Sequence, residues 1–272
     1  MFESGIQPSI PSKLDSKIIS ETGEIDVPIL EVDFQRILGS SRVLMIGERH
    51  KNVTAREHLL GWVNRLKALG ITHYGIEANN KNPDVMRRLN NREPVDLLDI
   101  DVGPADYSKR FEYELLMKTM SDAGICVVPL CDLRNDRVNY DRIKGEEGTA
   151  DEIKTILDSD PSNRMVVLIG FDHAAKHGDL SSGGPPNPSA ATRLVDQGIP
   201  TTSVRYFGGF GGDSYSGTLA DIIRRNNLSD EVFMIETASC PEVFGEDARN
   251  FDFFIHVPNK FPSEYEFDIH KR

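Results

Sequence analysis

Ionisable side chains stand where short apolar runs stop. Gly47-Glu48-Arg49-His50 follows Val43–Ile46, and Glu77 follows His73–Ile76. Asp132 comes after Ile125–Leu130, and Gly170-Phe171-Asp172-His173 closes Met165–Ile169. Arg205 lies inside Thr202–Tyr206, and Glu236 follows Val232–Ile235. Neutral imidazoles and carboxylates are the ligand set for zinc, manganese or iron, and a site with an open coordination position activates water. His50, Glu77 and His173 would supply two histidines and one carboxylate from three strands. Glu48 lies two residues before His50, so on an extended strand it shares that face and would serve as general base or fourth ligand. Arg205 would bind a substrate carboxylate or stabilise an oxyanion. A metal-free acid/base cluster remains an equal alternative, because perturbed ionisable groups gather in both kinds of site. Structural roles also stay open: His50 as a helix cap, and Glu48 as ion-pair partner of Arg49 or Arg205.

The elements that must position these residues follow from apolar patterning. The runs are short and rich in Val, Ile and Phe, as suits strands buried on both faces. Phe251–Val257 adds one more run. After the first run, Thr54 and Glu57 read as a capping box, Leu59, Val63 and Leu66 make one apolar stripe, and Gly70 ends the helix. Weaker helical stretches cover Ser108–Ala123, Ala150–Leu157, Ser189–Asp196 and Thr218–Arg225. Strand–helix alternation predicts an α/β fold, a mostly parallel sheet covered by helices on both faces. Ligands in such sheets bind outside the carboxyl ends of the strands, so six runs would deliver ionisable groups to one edge. The expected organisation is an N-terminal extension over 1–40 packing on the domain, an α/β domain over 41–258, and a polar tail over 259–272. The glycine- and proline-rich stretches 181–189 and 206–217 read as loops at one end of the sheet.

Composition excludes several classes. Thirty-one basic against 43 acidic residues give a net charge of −12, which disfavours nucleic acid and anionic membranes as partners. No stretch approaches the roughly 18–20 apolar residues of a membrane span, and Met1 to Glu21 hold no secretory h-region. The three cysteines read as buried reduced thiols, so a cytoplasmic location is expected. Gly208–Gly212 lacks the Lys-Ser/Thr ending of a phosphate loop. No G-x-S-x-G elbow occurs, so a serine hydrolase is disfavoured. The expected partner is a small-molecule or peptide substrate.

The Gly-Glu-Arg-His ending, a glutamate closing the next strand, and a second Gly-x-x-His at 170–173 resemble the Tiki/TraB/ChaN-like superfamily, which includes the erythromycin esterases. The closing Phe251-Asp252-Phe253-Phe254-Ile255-His256 resembles the final strand of ChaN-like and esterase members. The resemblance spans about residues 40 to 257. Tiki-like members resemble metal-dependent proteases, which implies His50, Glu77 and His173 as metal ligands. Esterase-like members imply His50 as general base beside Glu77, although their first motif spaces Glu and His one residue wider. ChaN-like members bind haem, which would make Tyr107 or Tyr206 axial ligands. The expectation drawn is a hydrolase of peptide, amide or ester bonds, metal-assisted or esterase-like, with haem binding as the alternative.

Overall fold

The computed structural model describes residues 17–19, 27–48, 53–79, 83–96, 101–102, 110–130, 142–178, 186–207, 219, 223, 226–245 and 247–258. A small hairpin, β1 (Lys17–Ile19) and β2 (Val27–Ile29), precedes helix α1 (Phe34–Leu38). The main layer order then begins: β3 (Val43–Glu48), α2 (Thr54–Ala68), β4 (His73–Asn79), α3 (Pro83–Asn90), β5 (Asp101–Val102), α4 (Arg110–Asp122) and β6 (Cys126–Leu130). It continues through α5 (Arg142–Ser159), β7 (Met165–Gly170), α6 (Phe171–Ala174), α7 (Ala190–Asp196) and β8 (Thr201–Phe207). The last elements are β9 (Phe233–Glu236), α8 (Pro241–Phe244), α9 (Asp247–Asn250) and β10 (Phe253–His256).

The sheet runs β6-β4-β7-β3-β8-β10-β9, and β5 adds two antiparallel residues at the end of β4. Strands β6 to β10 along this path are parallel, whereas β9 is antiparallel to β10. The expected mostly parallel α/β architecture is therefore present. From β3 the chain moves outward to β4 on one side, and from β7 it crosses β3 to reach β8. That reversal makes the carboxyl ends of β7, β3 and β8 the natural place for a crevice.

Alternation along each strand sorts side chains onto two cores. Leu44, Ile46, Tyr74, Ile76 and Val204 pack with α2 and α4 on one face. Val43, Met45, Val167 and Phe207 pack with α5 and α7 on the other. Each large apolar side chain so buried contributes roughly 1.5–3 kcal/mol. The segment before residue 40 joins these cores, with Val27, Ile29, Phe34, Ile37 and Leu38 all buried. Among the described residues no helix is long and apolar enough to cross a membrane.

Each outer strand of the sheet meets a contact along its free side. On the outer side of β9, Leu30 and Met234 exchange backbone bonds of 3.0 and 2.8 Å. On the outer side of β6, the Asn90 carboxamide donates to the Val127 carbonyl at 2.9 Å and accepts from the Val127 amide at 2.8 Å.

Three expectations change. Helix α2 takes Val53 as its N-cap, in right-handed helical backbone with no side-chain cap bond, so Thr54 is the first helical residue and not the cap. Its other end behaves as read, with Gly70 at φ +84°. Helix α5 starts eight residues before Ala150, because it carries Gly145 and Gly148 in its interior, where each glycine costs about 1 kcal/mol and masks the pattern. Finally, β9 runs antiparallel, so Glu236 sits at the opposite edge, paired with Arg36 at 2.6 Å. The end of a run marks a strand terminus without giving its direction. Asp132 and most of 218–225 lie outside the described residues.

Candidate functional site at the carboxyl edge

Register aligns the expected groups. Glu48 of β3 pairs with Gly170 of β7, and Gly47 pairs with Arg205 of β8. Gly47 is required by close approach: a Cβ there would lie 2.8 Å from the Phe171 Cα of α6. The glycine lets α6 turn back over β3, which fixes where His173 stands.

The alternation also separates the groups. Glu48 follows Leu44 and Ile46 onto the α2/α4 face, whereas Glu77 and Arg205 project to the opposite face. Glu48 is 1% exposed. It accepts two bonds from the Arg56 guanidinium, at 3.0 Å from Nε and 2.6 Å from Nη2, and another from the Tyr113 hydroxyl. Arg56 is itself fully buried and lies 3.6 Å from the centre of the Tyr113 ring. Burial lowers the Arg56 pKa, but the Glu48 charge and bonds outweigh it and the net shift is upward. Burial and then the Glu48 charge push the Tyr113 and Tyr74 hydroxyls well above their ordinary value. Among the described residues Glu48 thus pairs with Arg56, a partner that the sequence reading did not name.

On the other face, Glu77 Oε2 accepts the Gly170 amide at 3.1 Å, which ties the end of β4 to the end of β7. His173 follows on α6 with its side chain 14% exposed. Its Nδ1 bonds to Oε1 of Glu146, a buried carboxylate of α5 that is 1% exposed. Glu146 Oε2 accepts the Ala190 amide, the first of α7, at 2.7 Å. Arg205 reaches Asp247 of α9 at 2.9 Å. Its guanidinium also lies 4.5, 4.8 and 5.7 Å from the ring centres of Phe171, Phe207 and Phe251.

His50 lies outside the described residues, as does Tyr107. Among the described residues, no three His, Cys, Asp or Glu side chains gather into a group that would hold a metal ion. Tyr206 is buried, and its hydroxyl meets His58 Nδ1 at 2.8 Å while Trp62 Nε1 donates to His58 Nε2 at 3.2 Å. Burial lowers the His58 pKa to about 4. A pocket of about 310 Å³ opens at the opposite edge, beside Arg36, Ser41, Thr202 and Glu236, and none of the expected site residues lines it.

Sequence reasoning missed Arg56, Tyr113 and Glu146. The first had a usable signal, since Arg56 sits in the turn of helix that follows the Gly-Glu-Arg-His ending. Tyr113 and Glu146 reach the edge from distant helices, at separations of 65 and 27 residues from their partners.

The fold and this edge define the chain as an α/β protein with ionisable groups at a topological switch point. No family model matches it, and no curated protein does. Solved structures do. An erythromycin esterase mutant, EreC H289N in its open conformation, matches with a TM-score of 0.59 at 9% identity over 84% of this chain and 95% of that one. A succinoglycan biosynthesis protein matches with a TM-score of 0.53 at 10% identity over 83% and 89%. The type III effector HopBA1 matches with a TM-score of 0.50 at 12% identity over 88% and 100%. At such identities the likeness is one of fold, and at that level it agrees with the resemblance carried by the motifs.

Proposed function

We propose that this chain is a hydrolase of ester, amide or peptide bonds acting at the carboxyl edge of the sheet, with His173 as its base. The observation that carries this reading is the His173–Glu146 contact. A carboxylate is an acceptor only, so Nδ1 must carry the hydrogen it donates, and proton transfer falls to Nε2. There the imidazole would take a proton from water as the oxygen attacks the carbonyl carbon. It would return that proton to the leaving alcohol or amine as the tetrahedral adduct collapses. Glu77, fixed on the Gly170 amide, is the nearby carboxylate of the proposal. Arg205 is its cation for a substrate carboxylate or an oxyanion. Glu48 enters as scaffold. The likeness to an erythromycin esterase supports the same class.

A metal-assisted version is favoured by the same contact, because metal-bound histidines hold their second nitrogen on a carboxylate. His173 and Glu77 suit a zinc, manganese or iron ion by donor type, and His50 would complete the set. The ion would lower the pKa of a bound water. Haem binding, the remaining alternative, has one candidate ligand, Tyr206, engaged with His58.

Assay of the full chain on a panel of esters, amides and peptides, with and without chelator, tests the proposal. Turnover that His173→Ala abolishes is expected. Turnover indifferent to that change, or none across the panel, would overturn it. Activity lost to chelator and restored by one metal selects the metal-assisted version.

A further inference from the structure

We infer that Glu146 is the positioning residue that holds His173 in its Nδ1–H tautomer, and that it needs both carboxylate oxygens to do so. The inference rests on the proposed role of His173, but its test is independent of any activity. Glu146 is buried on α5 and bridges two nitrogens, with Oε1 on His173 Nδ1 and Oε2 accepting from the Ala190 amide at 2.7 Å. Ala190 is itself fully buried, so its amide needs an acceptor inside the protein. An ionised carboxylate between these two nitrogens can only accept from both, which puts the hydrogens on Nδ1 and on the amide. The aspartate of serine proteases fixes its histidine by the same logic, and the wrong tautomer there costs about 10⁴ in kcat.

The two-oxygen requirement makes glutamine a sharp probe. In the Glu146→Gln variant the side chain would have one acceptor oxygen and one NH2. If the oxygen stayed on His173, the NH2 would face the Ala190 amide, donor against donor, inside the protein. If the oxygen moves to Ala190, the NH2 faces Nδ1, and the imidazole satisfies it by shifting its hydrogen to Nε2. Only the second arrangement keeps the buried Ala190 amide paired and sets donor against acceptor at both contacts, so Glu146→Gln should flip the tautomer. Removing the competing amide should flip it back. Ala190→Pro deletes that N–H at the first residue of α7, a position where proline is favoured. The single oxygen of the Glu146→Gln side chain then turns to Nδ1–H.

Tautomers are read directly from long-range ¹H–¹⁵N spectra of ¹⁵N-histidine protein, with the His173 signals assigned by their loss in His173→Gln. The expected sequence is Nδ1–H in the native chain, Nε2–H in Glu146→Gln and Nδ1–H again in Glu146→Gln/Ala190→Pro. An Nε2–H tautomer in the native chain overturns the inference without any variant, even if the variants fail to fold. An unchanged tautomer in folded Glu146→Gln also overturns it. Where a substrate has been found, Glu146→Gln should lower kcat on the order of 10²–10⁴-fold with KM little changed, and the double variant should recover part of that loss. A tautomer flip without any turnover would leave the positioning role intact and remove only the hydrolase reading.

Discussion

Two buried glutamates flank the same edge of the sheet, one from each side. Glu48 and Glu146 are both 1% exposed, and each has a cationic or potentially cationic partner. What separates them is that partner. Arg56 is fully buried and meets Glu48 through a two-toothed contact, and a guanidinium does not give up its proton in a protein. The pair, with the Tyr113 hydroxyl, ties α2, α4 and β3 together. His173 meets Glu146 through one ring nitrogen and keeps part of its side chain at the surface. An imidazole so held can still exchange a proton. Under the proposed function it is the proton chemistry of the partner, and not burial depth, that sets the two glutamates apart.

The sharpest break of this contrast is His173→Ala. Turnover should fall on the order of 10²–10⁴-fold, with only about 1–3 kcal/mol of stability lost by leaving one Glu146 oxygen without its donor, as paired kinetics and melts would show. Arg56→Met should do the reverse. It leaves Glu48 buried without its cation, at a cost of about 3–5 kcal/mol. Urea unfolding measures this, and a loss below about 1 kcal/mol would show that the pair is not the tie described.

A third group extends the contrast to histidines. His58 meets Tyr206 and Trp62, and burial lowers its pKa from 6.5 to about 4. Above pH 6.5 both folded and unfolded chains hold it neutral. Between pH 6.5 and 4 the unfolded chain takes a proton that the folded chain refuses, so stability falls as pH drops, by about 3 kcal/mol in all. Melts from pH 7 to 4 should show that slope, and His58→Phe should flatten it. The smallest effect is expected from Gly47→Ala. Its Cβ would meet the Phe171 Cα at 2.8 Å, a backbone atom that cannot rotate away, so α6 must shift at a cost of about 1–3 kcal/mol. Because α6 carries His173, turnover should drop further than the stability loss alone explains. Equal stability to the native chain would refute the close approach.

Much of this was legible in the sequence. Buried parallel strands advertise themselves as unbroken Val/Ile runs, and all the runs read as strands, from Val43–Ile46 to Phe251–Val257, coincide with strands apart from small shifts at their ends. Their polar endings located Glu48, Glu77 and His173 at one edge. The partners were not legible, because a pairing across 27 or 65 residues leaves no local trace. Glu146 was hidden twice over, since Gly145 and Gly148 disguise its helix as a loop. Glu236 shows the opposite failure, a correct strand ending assigned to the wrong edge because apolar content is blind to chain direction.

The Asn90 carboxamide at the outer side of β6 bears on how copies of the chain can meet. Its oxygen and nitrogen take the two Val127 backbone groups that an incoming strand would use. Pro129, two residues on, has no N–H to offer. A foreign strand would find this margin already answered by a side chain imitating a peptide. The other margin is taken by Leu30. Adding strand to strand, the route by which sheets become fibres, is therefore opposed at Val127 and at Met234. At these two positions a second copy would have to meet the sheet through something other than strand pairing.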